Sequence, residues 1–464
     1  MKRIFDGDRL VNKIIGAKNT PPAGQYRWSC YTIPHEFEGS MYLFNNFTKR
    51  FYVLEGEELD FSAEKRFTAD EINADSVLKT LYTDHFIVSE DYDETAAYIG
   101  YCNIARTLKQ KKEGYDGFTI LPTTACNARC IYCYEQGIEY VTMTEDTIDA
   151  VIAFIKKVRN PGKSVFFSWF GGEPLIGEKY IDKICAAMRE EGIEYASRIT
   201  TNGSLITREN VKKMVDDWKI RHMQITLDGV EEEYNRRKNY YFNYESAYWH
   251  VLSRIKLINE SGISLSIRVN VDTGNIDGVP QMLDDLAAFI VDRERLTIDL
   301  APLFDLQASD DSQEIWEKVF DIYDIIEEKG FYSTTRYSLT QTRINFCMAD
   351  RPYSSIVIAP DGKLYNCENI MSFDSVGDIW SGITNTDYLN GLAKVEPARE
   401  MCKGCFSLPE CTTFSRCGHV RVNCKYSYRR SLERTLDIML PYILKKQLSE
   451  PEQDEDNSID SSNC

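Results

Sequence analysis

From Gly117 onward the chain repeats one pattern: a short apolar run, a polar turn, an amphipathic stretch, then another apolar run. "FTILPT", "SVFFSWF", "SRIT", "HMQITLDG", "SLSIRVNV" and "LTIDLAP" read as strands. "TEDTIDAVIAFIKKVRN", with Thr144 as its cap, and the stretches at about 178–190 and 207–218 read as helices. About six such βα units predict a parallel sheet curled into a barrel or partial barrel, an α/β fold. Function in such folds sits at the C-terminal ends of the strands. Those ends carry Cys126, Gly171, Asn202, Asp228 and Asn270.

The first of these ends opens "CNARCIYC", in which Cys126, Cys130 and Cys133 stand at C-x3-C-x2-C spacing. The N-terminus lacks the apolar core of a signal peptide, and no run of about 18 apolar residues exists to cross a membrane. A cytoplasmic chain is expected, in which 14 cysteines serve metal ligation or catalysis rather than disulfides. Five histidines make a histidine-rich metal centre a poor reading, and a net charge of -18 excludes a general nucleic-acid binder. Three compact thiols are one short of the four a [4Fe–4S] cluster normally takes, which leaves one iron open. Zinc with a distant fourth ligand is the alternative. Cys30, Cys102, Cys185 and Cys464 stand apart and read as inert thiols.

With an aromatic residue, Tyr132, before its third cysteine, the triplet resembles the radical S-adenosylmethionine (SAM) superfamily. That resemblance implies a partial (β/α)6 barrel and a cluster whose open iron chelates SAM. Cleavage of SAM then yields a 5′-deoxyadenosyl radical that abstracts hydrogen from substrate. "GGEP" at Gly171, Gly172, Glu173 and Pro174 resembles the family's glycine-glycine-glutamate motif, with glycines for close backbone approach to the ligand and Glu173 for the SAM ammonium. Asn202 in "TTNGS", Thr226 and Asp228 in "ITLDG", and Arg268 in "SIRVNV" resemble further SAM contacts, a structural salt bridge being the alternative for Arg268. The resemblance covers about residues 115 to 305.

Downstream, Cys347, Gly362-x4-Cys367, and Cys402-x2-Cys405-x5-Cys411-x5-Cys417-x6-Cys424 resemble the SPASM extension of the superfamily. That resemblance implies two auxiliary clusters. Cys402, Cys405, Cys411 and Cys424 would hold the distal one; Cys347, Cys367 and Cys417 would hold the nearer one. Seven cysteines stand where the fullest pattern has eight, and Asp350 and His419 are positional candidates for the gap. A zinc ribbon is the alternative for the last five cysteines.

Residues 38–94 read as a small winged-helix-like unit: a hairpin about Asn45-Asn46, a helix capped at Thr68, and the returning strand "HFIV". In a SPASM context such a unit resembles the modules that grip the leader of a ribosomal precursor peptide by strand addition. Expected divisions are an N-terminal module at 1–110, a barrel at 111–340, a SPASM domain with a final helix at 341–447, and an acidic disordered tail at 448–464. The whole resembles a peptide maturase that joins a cysteine sulfur to carbon, with SAM, three [4Fe–4S] clusters, a precursor peptide, and an electron donor such as flavodoxin or ferredoxin. A carbon–carbon cyclase, a formylglycine-forming sulfatase maturase and a non-catalytic iron–sulfur sensor are the competing expectations.

Overall fold

The computed structural model describes residues 1–16, 20–109, 114–242, 244–303, 312–333, 339–342, 348, 354–392, 402–410, 432–437 and 440. Two small antiparallel sheets come first. One joins β1 (Lys2–Asp6), β5 (Arg50–Leu54), β4 (Ser40–Asn45) and β3 (Thr32–Phe37) in that spatial order. The other places β2 (Gln25–Trp28) between β6 (Arg66–Thr68) and β7 (Ile87–Ser89). The β4–β5 hairpin turns at Asn45, whose side chain accepts from the amides of Phe47 and Thr48. Between β6 and β7 lie α2 (Ala69–Ala74), capped by Thr68 and Glu71 in a reciprocal box, and α3 (Ser76–Thr83). The unit expected at 38–94 thus reaches back to Lys2. Its early strands were illegible because they are short and Pro34 interrupts their alternation.

The four-stranded sheet buries both faces. Leu43, Tyr52 and Leu54 pack toward the α2–α3 side with Leu81 and Phe86. Ile4, Ile33, Phe44 and Phe51 pack against Leu432, Leu436 and Leu440 from the far end of the chain. His35 Nε2 also meets Asp437 Oδ1 at 2.9 Å. The described part of the expected final helix, residues 432–437, is helical.

After α4 (Glu94–Lys109) the repeat begins. Strands β8 (Gly117–Ile120), β9 (Val165–Trp169), β10 (Tyr195–Thr201), β11 (Ile220–Thr226), β12 (Ser264–Val271) and β13 (Leu296–Pro302) lie side by side in chain order, all parallel. Helices α5 (Glu145–Val158), α6 (Glu178–Glu190), α7 (Arg208–Asp216), α8 (Glu231–Lys238), α9 (Ala247–Ser261) and α10 (Val279–Ala287) connect them. Parallel strands that keep chain order, joined by crossovers of the usual right hand, place the connecting helices on one face. Val165, Phe167, Ile199, Met223, Ile225, Ile267 and Leu300 face those helices. The intervening residues, among them Ser168, Arg198, His222, Gln224, Arg268 and Asp299, line the opposite, inner face.

Beyond β13 come α11 (Ser312–Glu328) and a short parallel β14 (Tyr332–Ser333). The strand β15 (Ser355–Ile358) then returns to pair with β8, again parallel, and β16 (Lys363–Tyr365) follows antiparallel. The main sheet therefore runs through the boundary expected at 340/341. Ile356, Ile358, Leu364, Val376 and Leu389 belong to the main core. This region buries more apolar surface than its sparse hydrophobic runs suggest, because it borrows the wall of β8. Among the described residues no helix is long and apolar enough to cross a membrane.

Candidate active site

The cysteine loop hangs from elements on three sides. The last carbonyls of a helix lack intrahelical partners. Those of Arg237 and Lys238, ending α8, take the amides of Ile131 and Arg129 at 3.1 and 2.9 Å. Asn127 is buried; its Nδ2 donates to Ser204 Oγ and its Oδ1 accepts from Asn202 Nδ2, both at 2.8 Å. Arg129 donates to the carbonyls of Cys126 and Ala128, and its guanidinium lies 4.9 Å from the Tyr140 ring centre and 4.2 Å from that of Tyr241. Asn127 and Arg129, between the first two cysteines, therefore hold the loop in shape.

Behind the loop, Lys238 Nζ lies 3.0 Å from Asp228 Oδ2 and donates to the Tyr132 hydroxyl at 2.8 Å. Tyr132 in turn donates to Asp228. Asp228 Oδ1 accepts from Asn270 N at 2.8 Å and from its Nδ2 at 3.2 Å. Burial works against the Lys238 ammonium, but Asp228 and Tyr132 outweigh it and hold its pKa above the ordinary lysine value. Tyr132 and Asp228 were expected to touch SAM. Here the Asp228 carboxylate is fully buried and committed to the chain's own donors.

Glu173 behaves similarly. Its carboxylate is fully buried and accepts from Leu175 N (3.1 Å), Thr201 Oγ1 (2.7 Å) and Asn202 N (2.8 Å). Burial pushes its carboxyl up, and those donors pull it back. It ties the end of β9 to the end of β10. The glycines before it bring the turn close against the chain itself. A Cβ on Gly171 (φ +118°) would lie 2.3 Å from Thr123 O, and one on Gly172 would lie 2.4 Å from Thr124 O. The turn is pressed against the loop between β8 and Cys126. Asn202 and Thr226 stand half-buried at the ends of β10 and β11. Arg268 donates to Asn270 Oδ1 (3.1 Å) and Asp299 Oδ2 (3.2 Å), the salt bridge that was its alternative reading.

Tyr134, next to Cys133, comes within electrostatic reach of Cys367. Burial of its hydroxyl end, then the charges of Glu135, Glu368, Cys133 and Cys367, raise its pKa. Cys367 follows β16, and Gly362 ahead of it (φ +83°) leaves room for Trp380, whose ring a Cβ would meet at 2.6 Å. Glu135 Oε1 is buried with no hydrogen-bond partner, and burial and Glu368 push that carboxyl up to about 7. Burial raises Glu368 as well, while Arg198 and Arg268 pull it down. Cys402 and Cys405 lie farther off, packed with Cys30, Cys102, Tyr98 and Leu408. Cys30 and Cys102 are thus not isolated, because α4 and the start of β3 fold against residues 402–408. Cys347, Cys411, Cys417 and Cys424, with Asp350 and His419, lie outside the described residues.

Cys126, Cys130 and Cys133 are free and half-buried. Among the described residues no three His, Cys, Asp or Glu side chains converge on one metal ion. A cubane does not ask for that, because each thiolate takes a separate iron. Burial and then Glu173 push the Cys126 thiol up to about 12, so its thiolate form calls for a cationic partner such as iron. The donor set fits a cluster held by three thiolates. The sequence reading passed over Lys238, Tyr134, Glu135 and Arg198. A charged residue within an alternating strand, as in "SRIT", was the available signal for Arg198.

Residues 120–286 match the model of the radical SAM superfamily. Fe-coproporphyrin III synthase of Methanosarcina barkeri is 27% identical over 162 residues, 35% of this chain and 38% of that relative's length. The radical SAM cyclopropyl synthase TigE of Paramaledivibacter caminithermalis is 19% identical over 405 residues, 81% of this chain and 83% of TigE. Among solved structures, anSMEcpe with bound AdoMet superposes with a TM-score of 0.53 at 16% identity, covering 71% of this chain and 98% of that one. The matched stretch spans well under half of the first relative's length. The cysteine triplet, the parallel sheet and the family match agree: residues 120–286 are a radical SAM domain, and the chain that carries it is an enzyme.

Proposed function

We propose that this enzyme modifies a ribosomally made precursor peptide, installing a bond between a cysteine sulfur and a carbon. The observation that carries the reading is that Tyr134, next to Cys133 of the SAM-domain loop, comes within electrostatic reach of Cys367 of the downstream set. A substrate seated there would lie between two metal-binding regions. Cys126, Cys130 and Cys133 would hold the cluster that binds SAM. Cys347, Cys367 and Cys417, and separately Cys402, Cys405, Cys411 and Cys424, would hold two auxiliary clusters. When bound, SAM and these clusters would supply one-electron chemistry, removal of a hydrogen atom and acceptance of a surplus electron. In the net change a carbon loses one hydrogen atom, the thiol loses a proton, one electron leaves, and the sulfur–carbon bond forms. The chain's own part is positional: Lys238, Asp228 and Tyr132 brace the loop, and Glu173 sets the turn beside it.

The solved structure of anSMEcpe with AdoMet and the Cp18Cys peptide, TM-score 0.52, is consistent with a peptide substrate in this fold. The N-terminal sheets would receive the leader, for which the edge strand β3 pairs only with β4 among the described strands. TigE, a cyclopropyl synthase by name and matched along 81% of this chain, favours carbon–carbon bond formation as a second reading. Anaerobic co-expression with short reading frames adjacent to the gene tests both. A peptide lighter by two hydrogens whose cysteine resists alkylation supports the thioether; the same loss with a free thiol supports the carbon–carbon bond. No mass change in any neighbouring peptide, alongside a sulfatase that becomes active, would overturn the reading. Iron content of about twelve per chain is expected for three cubanes.

A further inference from the structure

The inner face of the parallel sheet carries a cation that the chemistry above does not use. Arg198 lies in the middle of β10, between Ser197 and Ile199, both buried on the helix side. Its Nε donates to Ser168 Oγ on β9 at 2.8 Å. That contact leaves both terminal nitrogens without a hydrogen-bond partner among the described residues. Its neighbour on β11 in the same row is His222, not an acid. The inner-face carboxylate Asp299 is engaged by Arg268 at 3.2 Å. Arg198 is exposed on that face, so in a chain of net charge -18 its terminal nitrogens are open to an anionic ligand.

Its position relates it to the site. Asn202, at the end of β10, lies four residues on, so Arg198 sits about 13 Å deeper along the strand. Its charge reaches Glu368 on the segment after β16. A guanidinium presented as a fork matches a carboxylate with two parallel hydrogen bonds. We infer that Arg198 is a specificity-determining residue that receives a carboxylate of the substrate peptide, fixing which residue stands under the cysteine loop. The carboxylate belongs either to an Asp or Glu side chain or to the peptide's C-terminus. This rests on the peptide reading above.

The test is calorimetric titration of the cluster-loaded, SAM-bound protein with three probes. N-acetylglutamic acid α-amide offers a side-chain carboxylate, N-acetylalanine a terminal one, and N-acetylglutamine amide none. One carboxylate probe is expected to bind, and which one identifies the source. Arg198→Gln should weaken it roughly ten- to a hundredfold, with unfolding midpoint, iron content and SAM affinity unchanged. Arg198→Lys keeps the charge but not the fork, and should retain part of the binding even if the Gln variant fails to fold. Glu368→Gln should tighten binding by removing an internal competitor. Equal affinity for neutral and charged probes, equal affinity in wild type and Arg198→Gln, or binding seen only in Glu368→Gln would overturn the inference. Arg198-dependent binding with no peptide ever modified would remove the peptide reading alone. Modification indifferent to every carboxylate of the peptide would remove this site alone.

Discussion

Lys49 and Glu410 form an ion pair that water does not reach: Nζ stands 2.7 Å from Oε1, and the two side chains are 0% and 1% exposed. Lys49 closes the β4–β5 hairpin, and Glu410 ends the short helix Leu408–Glu410 after Cys402 and Cys405. Asn46 Nδ2, donating to Phe406 O at 2.8 Å, runs beside it. The N-terminal sheets and the downstream cysteines are therefore pinned directly together. Removing one partner of a buried pair leaves a charge stranded, at about 3–5 kcal/mol. Lys49→Met should lower stability by that amount in urea unfolding, and adding Glu410→Gln should recover much of it. Additive losses in the double variant would show that the two do not act as a pair.

Lys238 poses the same question at the cysteine loop. Lys238→Met would leave Asp228 charged and fully buried beside Tyr132. A loss of about 3–5 kcal/mol is expected, with poorer iron loading because α8, whose last carbonyls hold the loop, loses the side chain that ties it to Asp228 and Tyr132. Asp228→Asn in the same chain should restore most of both, as read by chemical denaturation and iron analysis. Normal iron content and stability in Lys238→Met would mean that the pair does not brace the loop.

Two glycine substitutions should differ sharply. At Gly172 a Cβ would meet the carbonyls of Thr124 and Ala125 at 2.4 and 2.5 Å, backbone that cannot step aside. Gly172→Ala should cost at least about 1–3 kcal/mol and displace the loop enough to lower iron incorporation. Gly192, at φ +64° with nothing within 4 Å, gives only backbone strain. Gly192→Ala should cost roughly 1 kcal/mol and leave iron content untouched. Equal iron loss in both would refute the contact argument.

His222 should make stability depend on pH. Burial, then the charge of Arg198, hold its imidazole below the ordinary value. The unfolded chain therefore takes up this proton more readily than the folded one. The contribution is complete above the ordinary value of about 6.5 and is lost as pH falls through and below it toward the depressed folded value. Unfolding midpoints should decline between about pH 7 and about pH 5, and His222→Asn should flatten part of that decline. An unchanged slope in the variant would place the titrating group elsewhere.

The parallel strands and the cysteine triplet were legible because each is a local pattern. Alternating residues mark a sheet wall, and three thiols in eight residues have few uses. What the side chains of Glu173 and Asp228 do was not legible. Which donors surround a buried carboxylate depends on strands adjacent only in the fold. Asn270 and Lys238 come to Asp228 from β12 and α8, and no spacing rule links them. For the same reason Cys30 and Cys102 looked solitary, although α4 carries Cys102 to Cys402 and Cys405. The continuity of β15 with β8 was hidden because a parallel neighbour more than two hundred residues away leaves no mark in either segment.

The packing of Leu432, Leu436 and Leu440 on the first sheet has a consequence for how the protein is made. The face formed by Ile4, Ile33, Phe44 and Phe51 is synthesised early, and its cover arrives about 380 residues later. At cellular elongation rates that interval is roughly 20 to 75 seconds. Throughout it an apolar surface stands uncovered on the nascent chain, open to chaperones or to a neighbouring ribosome's product. The first sheet to emerge from the ribosome is thus among the last to be completed.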